Sequence, residues 1–367
     1  MTYGRRLFMK KTTITGIGGI LAAGRAPAFA QDMNKIKIGQ LGAGSHNFTA
    51  RFRNPAEKYK GIIKCRPWAV WDDVPGVAEK MKGDMGFEKA VADPVELVRE
   101  CDVVEVEHAD YRRALDLARP ALEAGKPVFI NRPFAASVVD AEEIVRLARE
   151  HNAPLMSASS LEFQPELPAI AQYARENGPL RSYMAYCPEP YFTWMFPHVI
   201  NFAHAGLGGG IDTAYFAGDY IIKMGNIGVK DGKFVDPERP YGSAVSLLTY
   251  KSREGQPPVV GMCHIGQSPG TYNIYVYAYG GSKNFVCGGE LNAPNIFEAM
   301  FLTLNDFYTN RKPPRPYEAI LEQHRALVAT NKSRLSGRAE KLDNLKGSDA
   351  LPYDESIREY VLRRYRN

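Results

Sequence analysis

The sequence predicts an α/β Rossmann domain with a doubly wound, mostly parallel sheet, followed by an α+β C-terminal domain with an open, mostly antiparallel sheet. Three observations carry this reading. Apolar strand-like runs alternate with helix-length segments over residues 35 to 158. From about residue 160, short runs rich in Tyr, Val and Ile follow one another between Gly and Pro turns. And 367 residues exceed what one hydrophobic core usually holds.

The first segment, residues 1–30, reads as an export leader rather than as part of either domain. Arg5-Arg6-Leu7-Phe8-Met9-Lys10 is a twin-arginine pattern, Ile14 to Ala23 is a short apolar run, and Ala28-Phe29-Ala30 is a small-x-small cleavage site. Cleavage after Ala30 and a periplasmic or otherwise exported location are therefore expected. The leader holds Arg5, Arg6, Lys10, Lys11 and Arg25 and no acid, so its removal takes the formal net charge from +5 to zero. A basic footprint for nucleic acid is then missing. No apolar run reaches the roughly eighteen residues of a membrane span, so no membrane insertion is expected after the signal is removed.

Residues 31–158 form the predicted nucleotide-binding domain. A strand at 35–42 leads into a glycine turn and a helix at 47–60; a second strand spans 61–72 and a short helix 75–84. Helices at 94–100, 110–124 and 138–151 alternate with strands at 102–106, 127–130 and 154–158, which implies right-handed crossovers. Residues 159–345 form the second domain, with strands at 181–187, 211–222, 243–251, 258–265 and 272–279 and helices at 166–176, 198–206, 296–310 and 317–335. Residues 346–367 are a C-terminal extension whose basic helix, from Glu355 to Arg366, is expected on the surface or against a neighbouring subunit. The five cysteines are widely scattered with no metal-ligand spacing, so buried free thiols are expected and no metal site is.

Gly42-Ala43-Gly44-Ser45-His46-Asn47 follows the first strand. Gly42 suits the tight turn and Gly44 a close approach of backbone to a pyrophosphate resting on the following helix. The third glycine position of the dinucleotide fingerprint is Asn47. Asp72, at the end of the second strand, is placed to bond the adenosine ribose hydroxyls and to repel a 2′-phosphate, which favours NAD over NADP. His108, on the loop after the strand at 102–106, lies at the carboxyl edge where a nicotinamide contact is expected.

Ala121-Leu122-Glu123-Ala124-Gly125-Lys126-Pro127-Val128-Phe129-Ile130-Asn131-Arg132-Pro133-Phe134-Ala135, together with Pro179-Leu180-Arg181 and Tyr279-Gly280-Gly281-Ser282, resembles the Gfo/Idh/MocA oxidoreductases, the group of glucose-fructose oxidoreductase and inositol dehydrogenase. The resemblance covers nearly all of the chain beyond the leader. It implies that position 132 reaches the nicotinamide and the substrate hydroxyl, and that His198, ten residues before Gly208, is the acid/base, with Asn201 a turn further on the same face. It also implies a homodimer or homotetramer. Where the family has Glu-Lys-Pro, this chain has Asn131-Arg132-Pro133, exchanging an ammonium that can titrate for a guanidinium that stays charged. Glu162 stands where the family usually has arginine, which raises the expectation that Glu162 and Arg132 pair across the cleft. Trp194 stands where an aspartate often lies; with Tyr191 it belongs to an aromatic cluster suited to a sugar face.

The expected activity is hydride transfer from a hydroxyl of a sugar, glycoside or related polyol to NAD(P), with His198 as acid/base and Arg132 orienting or stabilising the substrate oxygen. Two other classes stay open on the sequence: a redox-neutral NAD-using glycosidase or epimerase that keeps its cofactor, and a catalytically degenerate dinucleotide-binding protein.

Overall fold

Six parallel strands form the first sheet of the computed structural model, which describes residues 35–353 and 355–366 apart from 45, 164–166, 168–181, 188–190, 220–227, 231–232, 236–241, 253–257, 267–272, 281–282 and 291–292. The leader, Ser45, Pro179-Leu180-Arg181, Gly281-Ser282 and nearly all of the expected helix at 166–176 lie outside the described residues. The strands are β1 (Ile36–Leu41), β2 (Cys65–Trp71), β3 (Lys89–Ala90), β4 (Val103–Val106), β5 (Val128–Ile130) and β6 (Leu155–Ser157), in the order β3-β2-β1-β4-β5-β6. The strand order reverses between β1 and β4, so ligands of such a sheet bind beyond the carboxyl ends at that crevice.

Local chemistry sets the helices between them: α1 (Val77–Met85), α2 (Pro94–Glu100), α3 (Ala114–Glu123) and α4 (Val138–Glu150). Asp93 accepts from Val95 N with Pro94 in the first helical position, and Ser137 accepts from Asp140 N, two N-caps that start α2 and α4. The α-helix expected at 47–60 does not form. Two short 3₁₀ turns, Phe48–Phe52 and Glu57–Tyr59, stand in its place. Asn47 has a left-handed φ of 47° with no side-chain cap, and Pro55 biases Asn54 away from helical backbone. The glycine turn therefore opens onto one tight turn, not onto a helix long enough to carry a macrodipole.

The second sheet has seven strands in the order β14-β13-β7-β12-β11-β8-β15, with β9 and β10 as a separate pair. They are β7 (Ser182–Cys187), β8 (Ile211–Asp219), β9 (Gly228–Lys230), β10 (Lys233–Val235), β11 (Ser243–Tyr250), β12 (Val260–Gly266), β13 (Asn273–Gly280), β14 (Lys283–Glu290) and β15 (Glu340–Lys341). Only β7 and β12 pair in parallel, so this sheet is mixed. The helices are α5 (Phe192–Leu207), α6 (Ala293–Asn310) and α7 (Tyr317–Ser336). Phe196, Val199 and Ile200 of α5 share a core with Leu248, Cys263, Ile265, Ala326 and Val328. Helix α6 instead returns to the first sheet, where Phe301, Leu304, Phe307 and Tyr308 pack with Phe48, Phe52 and Phe129.

The last helix, α8 (Glu355–Arg366), packs one face into the core and does not lie loosely on an outer surface. Ile357, Tyr360, Val361, Leu362 and Tyr365 are buried in the same core cluster as Val70, Val77, Met81 and Trp194's neighbours on α5. Cys65, Cys101 and Cys263 are buried free thiols, and Cys187 is buried. Among the described residues no helix is long and apolar enough to cross a membrane.

Candidate active site

The crevice beyond β1 and β4 is built first from two glycines. Gly42 has a φ of +91°, and a Cβ there would sit 2.6 Å from the His108 backbone; one on Gly44 would sit 2.4 Å from the Glu107 carbonyl oxygen. The turn after β1 and the turn after β4 thus touch, which no other residue would allow. Asn47 fastens the turn, accepting from Gln40 Nε2 at 2.8 Å and donating to Gly44 O at 3.2 Å. Asp72, just after β2, accepts from Ala43 N at 2.8 Å and Val74 N at 2.9 Å.

Two carboxylates on β4 and its end face this floor. Glu105 accepts from the Thr49 hydroxyl and, at 2.8 Å, from Tyr308 Oη. Glu107 accepts from Asn131 Nδ2 at 2.7 Å and from Phe48 N at 3.4 Å. Burial pushes Glu105 up to about 7, and burial reinforced by the charge of Glu105 pushes Glu107 up to about 8. Sequence reasoning passed over both, although two glutamates at alternate positions in an otherwise apolar strand were the available signal.

Arg132 and His198 come together around His46. An Arg132 Nη donates to His46 Nε2 at 2.7 Å, and the His46 and His198 rings lie 6.3 Å apart between centroids. A guanidinium can only donate, so His46 Nε2 accepts and its ring proton belongs on Nδ1. His198 Nδ1 meets Ser159 Oγ at 2.5 Å, and that oxygen accepts from Leu161 N. Burial first, then the positive charge of Arg132, hold both imidazoles well below their usual range, so both are neutral at pH 7. Trp194 lies beneath Arg132, whose guanidinium carbon is 5.3 Å from its ring centroid.

The other expected site residues have different company. Glu162 pairs with Arg315 and accepts from Ser159 N at 2.7 Å and Asn201 Nδ2 at 2.8 Å, so this pairing takes the place of the one expected with Arg132. Asn201 is thereby turned to Glu162. Tyr191 is 2% exposed and packs into the core, not onto an open sugar face. His108 stacks on Trp71 and lies 3.4 Å from Asp73, on the Asp72 side of the crevice. Asp72, Asp73 and His108 are close enough to share a cation, but Arg358 and Arg113 already sit on these carboxylates.

Helix α8 closes the crevice. Arg358 pairs with Asp72 and Asp73, Tyr365 Oη accepts from Asn47 Nδ2 at 3.0 Å, and the Tyr360 ring stands edge-on to Trp194 at 6.1 Å. What is left between Glu107, Asn131, Arg132, Trp194, Ile357 and Val361 is a cavity of about 30 Å³, room for about one water. The residue types suit a dinucleotide, but with α8 docked the space does not admit one.

A doubly wound sheet whose strand order reverses beside a glycine turn is the plan of a Rossmann fold that takes a dinucleotide beyond the carboxyl ends of its strands. Residues 36–159 match the model of the GFO_IDH_MocA oxidoreductase family with an NAD-binding Rossmann fold, which places the first domain among those folds. A Saccharomyces cerevisiae protein, YMR315W, is 27% identical over 99 residues, 25% of this chain and 28% of its own length. Among solved structures, a probable dehydrogenase from Thermotoga maritima superimposes with a TM-score of 0.66 at 17% identity, over 85% of this chain and 100% of that one. The scyllo-inositol dehydrogenase of Lactobacillus casei with bound NAD(H) and scyllo-inositol gives 0.65 at 17% identity, over 84% and 100%. A myo-inositol 2-dehydrogenase from Lactobacillus plantarum gives 0.65 at 14% identity, over 84% and 99%. At these identities the likeness is one of fold.

Proposed function

We propose that the chain is an exported, NAD-dependent oxidoreductase that oxidises a hydroxyl-bearing carbon of a sugar, glycoside or related polyol. The convergence of Arg132, His46 and His198 at the switch-point crevice carries this reading. A nicotinamide dinucleotide would supply the hydride acceptor. His198, neutral at pH 7, takes the hydroxyl proton, while Arg132 places a fixed positive charge beside the oxygen as it becomes a carbonyl. Ser159 orients the His198 ring through Nδ1, and Trp194 offers a flat apolar wall of the kind that stacks on a sugar face. NAD is favoured over NADP because the carboxylate of Asp72 directly follows β2, where a 2′-phosphate would meet like charge.

Support comes from the fold shared with enzymes of inositols, small polyols of the chemistry this site suits. The Arg5-Arg6 leader argues for export in the folded state, which a protein carrying a bulky cofactor requires. The face of the second sheet carrying the exposed Tyr215 and Val260 is the surface on which a homodimer or homotetramer would form.

The test is a panel of inositols, hexoses and glycosides offered to the purified protein with NAD, read by the absorbance of NADH. Reduction of NAD with at least one polyol is expected. No reduction across the panel would remove the dehydrogenase assignment, and turnover without added NAD would move it to redox-neutral chemistry.

A further inference from the structure

We propose that helix α8 competes with the dinucleotide for one crevice, so that cofactor binding requires the helix to leave. The proposal rests on the NAD-dependent reading above, and four observations support it. Arg358 takes the carboxylate of Asp72, the group that faces the adenosine ribose in a fold of this kind. Tyr365 bonds Asn47 in the turn where a pyrophosphate would rest. Ile357 and Val361 line the remaining cavity together with Asn131 and Arg132, where the nicotinamide end would lie. That cavity, at about 30 Å³, is smaller by more than tenfold than the several hundred Å³ of an ordinary ligand pocket.

The chain just before α8 is tied down independently of the crevice. Leu351 N donates to Ala136 O at 2.8 Å, the Tyr111 hydroxyl bonds Pro352 O, and Arg112 lies over the Tyr353 ring at 3.3 Å. These ties hold Leu351 to Tyr353, and the helix starts at Glu355, so the helix can leave while its root stays in place. The docked face is the apolar one, with Ile357, Tyr360, Val361, Leu362 and Tyr365 buried, whereas Glu359, Arg363 and Arg364 are exposed. Docked helix and bound cofactor therefore exclude one another, and apparent affinity is reduced by the fraction of molecules in which the crevice is open.

The test measures NADH binding by fluorescence for the protein without its leader, for Arg358→Ala, and for a chain ending at Tyr353. At least tenfold tighter binding is expected for Arg358→Ala, since the variant loses the ion pair on Asp72 but keeps its two backbone donors, and tighter binding still for the shortened chain. Should the shortened chain fail to fold, hydrogen exchange of the intact protein decides: saturating NADH should speed exchange across residues 355–366 and leave β11 unchanged. Equal NADH affinity in Arg358→Ala and the intact protein, or weaker affinity in the variants, would overturn the competition and leave the NAD assignment standing. Folded protein that binds no NADH with or without α8 would overturn both.

Discussion

Replacing Glu107 with glutamine should stabilise the protein at neutral and alkaline pH and destabilise it by about 1 kcal/mol near pH 4. The carboxyl titrates near 4.5 when unfolded and at about 8 when folded, so the native state holds a proton that the unfolded state gives up. Its stabilising contribution is complete below pH 4.5 and is lost as pH rises towards 8. At pH 7 the loss spans about 2.5 units, or about 3 kcal/mol at 1.36 kcal/mol per unit, and it grows to nearly 5 kcal/mol above pH 8. Glutamine has no such proton to lose. Its single oxygen can keep the bond from Asn131, while its amide group faces Phe48 N and leaves its added donor without a partner, a cost of about 1 kcal/mol. The net gain expected at pH 7 is about 2 kcal/mol. Urea unfolding followed by far-UV circular dichroism at pH 4.5, 7 and 8.5 measures it, and the difference includes the part of the Glu107 shift that comes from the charge of Glu105. Parallel stability curves for the two proteins across that range would refute the reasoning.

Arg132→Ala and His198→Ala should each lower turnover at least tenfold with little change in NADH affinity, and wild-type rates in either would remove the site assignment. His324 is buried, donates from Nε2 to the Ser137 carbonyl oxygen at 3.1 Å, and titrates at about 4, below the 6.5 of the unfolded chain. Its stability contribution is therefore present above pH 6.5 and lost down to about 4, and His324→Gln should reduce the acid-side loss by about 3 kcal/mol between these limits in the same unfolding assay. Phe129→Ala, which empties a fully buried site against Phe48, should cost about 3–5 kcal/mol by denaturant titration. Mass spectrometry of protein recovered from the exported fraction should find Gln31 at the N-terminus.

What the sequence made readable was local. Asp93-Pro94 and Ser137 mark the starts of α2 and α4 within a residue, because caps act over one turn. The apolar run ending at Val106 reads as a buried strand because a parallel strand covered on both faces needs no alternation. The failure at 47–60 is also local: a left-handed Asn47 and Pro55 outweigh an otherwise acceptable helical composition. The site divides the same way. Arg132 and His198 could be named from their motifs, but the pairing of Glu162 with Arg315 joins positions 153 apart, and that of Arg358 with Asp72 positions 286 apart. No spacing rule reaches across such separations. The basic helix at 355–366 was visible; the crevice that receives it was not.

The placement of α8 also orders events during synthesis. The first sheet is complete in the chain at Ser157, and the helix that fills its crevice begins at Glu355. At roughly 5–20 residues per second, a ribosome spends on the order of ten to forty seconds between the two. Throughout that interval the nascent domain has no terminal helix to contend with, and cytosolic NAD meets an unobstructed crevice before the polypeptide is released.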